Sequence, residues 1–295
     1  MKVALWAENL AFPVSSLEDW ARLVEAQVAV AKQQGAEVFL MPEYSALHWL
    51  HFIPPGLTGP RQLATVAGYS AQAVQLMSDI SRKHGLLVIS GTFPARDPKL
   101  TPPYTNRAHI HFPDGRLLTQ DKLCLIPSEK DPQSWHFSPG SELVLFDWLG
   151  YRLAVVICLD IELPALSAKI ADQHIDLILV PSMTVKLAGY HRVASCAKAR
   201  AVELLAAIAT VGAIAGMPDS EQYIAGASFF LPCEEKFGHT GILAHINPSY
   251  TAEGPGPLLV QDIPLDDIRQ MRQGQAEVWP GAWRAEGIKI VRAVD

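Results

Sequence analysis

Three side chains stand directly at the ends of apolar runs, and together their types could carry out acyl chemistry. Glu43 follows Pro42 in "VFLMPEY", Lys122 follows "RLLTQD", and Cys158 follows "RLAVVI" in "VVICLDIELP". A thiol attacks a carbonyl carbon once its proton has somewhere to go. A carboxylate set against apolar neighbours has its pKa raised towards neutrality, which suits a general base. A lysine held in place supplies positive charge to a developing oxyanion. Each also has an ordinary alternative: a solvated loop glutamate, a lysine whose stem snorkels to water, a buried cysteine behaving as a small hydrophobe. Cys158 lies where a strand meets a proline-punctuated helix start, near unpaired N–H groups, a location expected to lower its pKa.

Those positions require elements that end where the reactive residues begin. Val3 to Trp6 reads as a strand, and Ser16 can cap a helix over "LEDWARLVEAQVAVAKQQ", with Trp20, Leu23, Val24 and Val28 on one face and Gly35 closing it. "VFLM" is the next strand. A second helix is predicted from about Ser70 to His84, stopped by Gly85 before the strand "LLVIS". Asp114-Gly115 turns a hairpin between "RAHIHF" and "RLLTQ". Strands "LVLF", "RLAVVI" and "DLILV" follow, the last two separated by a helix near Leu163 to His174, and a longer helix runs from about Tyr190 to Leu205. "AIATVGAIAG", "GASFFL", "GILAHI" and "GPLLVQDI" complete the strands before a short helix at Asp266 to Gln273. Many strands with about four substantial helices in mixed order point to an α/β sandwich. With no linker, repeat or low-complexity segment, one domain over residues 1–295 is expected. The proline-rich "HFIPPGLTGP" and "PARDPKLTPPY" read as surface loops able to border a pocket.

Composition narrows the function classes. At 49% hydrophobic and 18% charged residues the chain is not disordered, and a net charge of −6 without a basic cluster argues against nucleic acid and anionic membranes. "MKVALWAENLAFP" is neither a signal peptide nor a span, and no later apolar run is long enough to cross a bilayer, so a cytoplasmic protein is expected. Cys124, Cys158, Cys196 and Cys233 form no C-x-x-C pair and have no histidine at metal-ligand spacing, so neither disulfides nor zinc are expected. Cys124 and Cys196 read as buried bystanders.

The ordered set Glu43, Lys122, Cys158, each at a strand end, resembles the nitrilase-type carbon–nitrogen hydrolase superfamily, in its amidase-like branch. "FLMPEY", "DGRLLTQDKLCLIPSE", "GYRLAVVICLDIELP" and "DLILVPS" carry the resemblance, as do Arg200 and Glu203 in "KARAVEL", "GASFFLPCE" and "GPLLVQDIPLDDIRQMR". It extends from Val3 to about Arg272. What it implies is a four-layer αββα sandwich of mixed sheets, commonly paired with a second subunit, and a hydrolase that needs no cofactor or metal. By the same resemblance Cys158 is the nucleophile, Glu43 the general base, Lys122 the oxyanion stabiliser and Glu129 a second acid beside the site. The backbone N–H of Leu159 is the natural second oxyanion donor.

The expected function is cleavage of a non-peptide carbon–nitrogen bond in a small carboxamide or N-carbamoyl compound, through a cysteine acyl-thioester. A nitrilase acting on a small nitrile is the alternative; Asp160, where nitrile-cleaving members often have glutamate, leans away from it. A binding protein that kept the fold would have no need of all three reactive residues, and an acyltransferase of this chemistry usually carries membrane spans. His48, Trp49, His51 and Phe52 in "ALHWLHF" read as a lid, and His191-Arg192, with Lys186, as groups that could meet a substrate carboxylate. Alanine-rich helices after Cys158 and over "YHRVASCAKARAVELLAA" suggest a homodimer, with Trp49 and His191 near the pocket entrance.

Overall fold

Alternate residues of the first strands face two different cores. Val3, Leu5, Val38, Leu40, Leu87 and Ile89 join one buried cluster, while Ala4, Trp6, Phe39, Met41, Leu86 and Val88 join another. A strand buried on both faces must have a layer on each side. The computed structural model describes residues 1–217, 220–277, 283 and 285–292.

The strands are β1 (Lys2–Trp6), β2 (Val38–Leu40), β3 (Leu87–Arg96), β4 (Tyr104–His111), β5 (Leu117–Asp121), β6 (Leu145–Trp148), β7 (Tyr151–Val155), β8 (Leu177–Ser182), β9 (Ala207–Gly212), β10 (Ala225–Phe230), β11 (Ile242–Ser249) and β12 (Leu258–Asp262). They form two six-stranded sheets, in the orders β12-β1-β2-β3-β4-β5 and β11-β10-β9-β8-β7-β6. The helices are α1 (Leu17–Gln33), α2 (Gly59–His84), α3 (Pro164–Ile170), α4 (Leu187–Leu204) and α5 (Leu265–Gln270). Trp20, Val24 and Val28 of α1 and Val66, Ala73 and Met77 of α2 cover the outer face of the first sheet. Ile170 of α3 and Val193, Ala197 and Ala201 of α4 share the core of the second sheet, whose strands meet the inner face of the first. The layers run helix, sheet, sheet, helix. Fully burying one such Val or Met is worth about 1.5–3 kcal/mol.

Helix boundaries follow capping chemistry. Ser16 accepts the Asp19 N–H (3.1 Å) at the start of α1, a contact worth about 1 kcal/mol. The second helix begins at Gly59 rather than near Ser70, because Pro60 stands in its first turn, where a missing N–H costs nothing. A 3₁₀ turn (Cys158–Glu162) precedes the helix expected from Leu163 to His174, which forms as α3 and a second short turn (Ala171–Gln173). Pro164 has no N–H to continue the first turn, so it opens a new helix.

Strand direction brings the reactive residues to one end. β1, β2 and β3 are parallel, and two successive antiparallel pairings return β5 to the same direction. In the other sheet β7, β8 and β9 are parallel. Carboxyl ends of the two sheets are joined by backbone bonds: Ile214 N–H donates to Glu8 O (2.8 Å), and Glu43 N–H donates to Ser182 O (3.3 Å). Ligands bind at such carboxyl ends in open α/β sheets. Among the described residues no helix is long and apolar enough to cross a membrane.

Candidate active site

Glu43, Lys122 and Cys158 come just after β2, β5 and β7, so two residues come from one sheet and the third from the other. All three line one cavity of about 700 Å³, together with Glu129 and Leu159. The charged groups are almost completely buried, Glu43 and Lys122 at 1% exposure and Glu129 at 3%. Lys122 Nζ donates to Glu43 Oε1 (2.7 Å) and to Glu129 Oε1 (2.8 Å). An ammonium out of water needs such partners, and a carboxylate on each side provides them.

Local backbone geometry aims each group. Cys158 has φ +48°, so the chain leaves extended Ile157 through a left-handed residue and enters a 3₁₀ turn. That conformation is strained for a residue with a Cβ, and such strain collects where a side chain must be presented at a sharp bend. The thiol contacts Met183 O at 3.6 Å. In the first turn after Cys158 the N–H of Leu159 has no intrahelical acceptor.

Glu43 is placed by a crossing over β3. Gly91 has φ +71°, and a Cβ there would meet Pro42 O at 2.0 Å and Ser45 Oγ at 2.6 Å. Only a glycine lets the Pro42–Tyr44 segment lie that close. Beside it Thr92 Oγ1 accepts the Tyr44 N–H (2.8 Å). Tyr44 then sends its hydroxyl to Glu129 Oε1, and Glu129 Oε2 accepts the Ile126 N–H (2.8 Å).

Burial and neighbouring charge divide the protons among these groups. Burial raises the Glu43 carboxyl to about 6; Lys122 opposes the rise and Glu129 adds to it. The Cys158 thiol is pushed well above its usual range, by burial first and by the Glu43 charge second. The expectation of a lowered thiol pKa is therefore corrected: the bend supplies N–H groups nearby, but lost hydration and an adjacent carboxylate outweigh them. For Lys122 burial pulls downward, yet Glu43, Cys158 and Glu129 together reverse it and hold the ammonium above its ordinary value. Near neutral pH the arrangement is a thiol facing a carboxylate, with a fixed cation between two acids.

Two residues outside the sequence-predicted set also hold this cluster together. Asn106 of β4 donates from Nδ2 to Glu43 Oε1 (2.9 Å) and to Glu129 Oε1 (3.3 Å). An asparagine inside a strand is unfavoured, and that was the available signal. Asp160, which reads in sequence as a first-turn acid, turns inward: its two oxygens accept the N–H groups of Leu123 (3.0 Å) and Cys124 (2.7 Å). It thereby fastens the turn that begins at Cys158 to the segment that follows Lys122. Burial raises its pKa to about 6 against those two hydrogen bonds. Asp160→Asn keeps one acceptor and replaces the other with a donor, leaving a buried N–H without a partner. The expected loss is about 1–3 kcal/mol of stability, read from the urea midpoint, together with a lowered kcat. An unchanged midpoint and unchanged kcat would remove Asp160 from this role.

Two expected pocket residues are elsewhere. Trp49 is fully buried between sheet and helix, meeting Trp20 edge-on at 5.4 Å and Phe93 at 5.0 Å, and it does not line the cavity. Ser45–His51 forms a 3₁₀ turn rather than a lid. An aromatic slot between α1 and β3 takes up Trp49, and fully buried His48 is held by Glu8 Oε1 (2.7 Å) and Phe12 O (2.6 Å). His191 is exposed and packs on Tyr190 at 5.4 Å; Arg192, one position on, lines the cavity instead and pairs with Glu162 (3.1 Å). Helical periodicity turns adjacent residues about 100° apart, which carries His191 off the face that Gly189, Arg192 and Val193 turn to the cavity. Cys124 and Cys196 are only partly buried, not core residues.

A two-sheet sandwich with a buried Glu–Lys–Cys cluster at its carboxyl edge defines a nitrilase-type carbon–nitrogen hydrolase. Residues 11–273 match the Carbon-nitrogen hydrolase family, and the chain belongs to it. It is 29% identical over 268 residues to the probable hydrolase YhcX of Bacillus subtilis, covering 88% of this chain and 49% of that protein. It is 30% identical over 153 residues to an (R)-stereoselective amidase of Pseudomonas sp., covering 51% of this chain and 53% of the relative. The chain thus spans about half the length of the curated relatives it matches. Among solved structures, an amidase from Nesterenkonia AN1 superposes with TM-score 0.68 at 22% identity, over 92% of this chain and 95% of that one. Saccharomyces cerevisiae Nit3 superposes with TM-score 0.67 at 20% identity, over 96% and 97%.

Proposed function

We propose that this chain hydrolyses the carbon–nitrogen bond of a carboxamide or N-carbamoyl compound through an acyl-thioester on Cys158, releasing ammonia or an amine. One observation carries the reading: Lys122 Nζ bridges Glu43 and Glu129 at 2.7 and 2.8 Å in the cavity that also holds the Cys158 thiol. Glu43 takes the thiol proton as sulfur attacks the carbonyl carbon. The oxyanion that forms draws on Lys122 Nζ and the Leu159 N–H. Collapse of the tetrahedral intermediate breaks the carbon–nitrogen bond, and the proton held by Glu43 goes to the departing nitrogen. Water then gives its proton to Glu43 and attacks the thioester; the second collapse returns that proton to sulfur and frees the acid. A Nesterenkonia amidase variant in which the acetamide moiety of fluoroacetamide is covalently added at the active-site cysteine supports thiol chemistry in a protein of this fold.

The reading includes a cytoplasmic homodimer, paired through the outward faces of α3 and α4. Small exposed residues there, Ala165, Ala168 and Ser195, permit close helix packing and support it.

Intact-protein mass spectrometry during turnover of an amide should detect the substrate's acyl mass on the protein. Dialysis against a chelator should leave ammonia release unchanged, whereas iodoacetamide should eliminate it. Activity recovered only on adding zinc would overturn the proposal.

A further inference from the structure

The open cleft above Cys158 has a volume of about 700 Å³. A pocket of that size can bury most of a drug-sized ligand, far more than a short amide occupies. Beyond the buried charges its walls are largely apolar and aromatic, with Tyr44, Trp135, Met183 and Tyr223 among them. Tyr44 and Trp135 meet edge-on at 5.8 Å, forming a ring wall beside Glu129. Apolar residues reach the mouth as well. Ile126 and Val185 line it with 36% of each side chain's residue surface exposed, and Tyr250, 43% exposed, donates its hydroxyl to Val185 O at 3.3 Å. Apolar residues left exposed together around a cleft mark a surface that a ligand covers. Among the charged side chains lining the cavity outside the buried cluster, Arg192 is taken up by Glu162 (3.1 Å), and Lys186 and Glu221 add one charge of each sign.

We infer that the substrate is an amide whose acyl group is an extended, uncharged apolar chain or ring, seated against Trp135 and reaching the Ile126–Val185 mouth. The acyl group stays bound through both half-reactions while the amine leaves after the first. Binding surface shared by both steps therefore belongs to the acyl side. This inference rests on the amide-hydrolase reading above, and its test separates the two.

Ammonia release from propionamide, hexanamide, octanamide and suberamic acid should be compared as kcat/KM. The expected result is a rise of about fourfold per added methylene until the cavity is filled, with suberamic acid no better than octanamide. Trp135→Ala should flatten that chain-length slope rather than lower all amides by one factor. Equal values along the series, or a preference for propionamide or for suberamic acid, would overturn the inference. The same amides should also be tested for protecting Cys158 from iodoacetamide. No ammonia from any amide, with protection that still increases from propionamide to octanamide, rejects the carboxamide-hydrolase reading and keeps the apolar pocket. Protection that does not increase with length rejects the pocket inference itself.

Discussion

Cys158→Ala abolishes both turnover and acyl adduct while the protein stays folded: that is the expected result for a side chain whose only unreplaced atom is the nucleophile. Loss of a triad nucleophile costs on the order of 10⁶-fold in kcat. The structural loss is small by comparison. The thiol contacts Met183 O at 3.6 Å and the Glu43 carboxylate, and the strained φ of +48° is already borne by a residue with a Cβ. Removing one buried heavy atom costs about 1 kcal/mol. Loss of the S–H beside the Glu43 carboxylate adds to that cost, since a neutral thiol donates favourably to a carboxylate. Ammonia release, intact mass and thermal melting of the variant separate chemistry from folding. Wild-type turnover by the alanine variant would end the thioester mechanism.

That Glu43, Lys122 and Cys158 share one cavity was legible in sequence because each interrupts a pattern. Glu43, Lys122 and Cys158 follow apolar runs that alternation and β-branching identify as strands, and strand ends are where loops carry function. What remained hidden depends on contacts between distant segments. Asp160 carries the same letter whether it caps a turn in water or accepts the N–H groups of Leu123 and Cys124. The strand read as "LLVIS" stops short of Gly91, which lies inside β3, and only the passage of Pro42 above it explains the residue. Trp49 looks like lid material beside two prolines, yet Trp20 and Phe93 provide a slot that hides an indole from water, a stronger preference than exposure at a rim. His191 and Arg192 were read as a pair, and helix geometry sends only the second into the cavity.

Glu43→Gln tests the division of protons among the buried groups. Glutamine preserves shape but cannot take a proton from sulfur, so acylation should fall by about 10²–10⁴-fold. Lys122 remains held by Glu129 at 2.8 Å, which keeps the oxyanion side of the site in place and makes the loss specific to proton transfer. The pH profile gives a second, independent signature. With burial raising Glu43 to about 6, the carboxylate needed to receive the thiol proton is present above that pH and lost below it. Wild-type kcat/KM should therefore rise with pH through about 6 and then level off. The thiol itself lies well above its usual range, so a preformed thiolate cannot account for that limb. Removing the carboxyl at position 43 should remove the contribution of Glu43 to the limb along with the rate. Glu129→Gln should be milder and should retain the limb, because Glu129 holds Lys122 and Tyr44 without taking the proton. Equal small losses in both variants, with the wild-type pH profile kept in each, would take the base role away from Glu43.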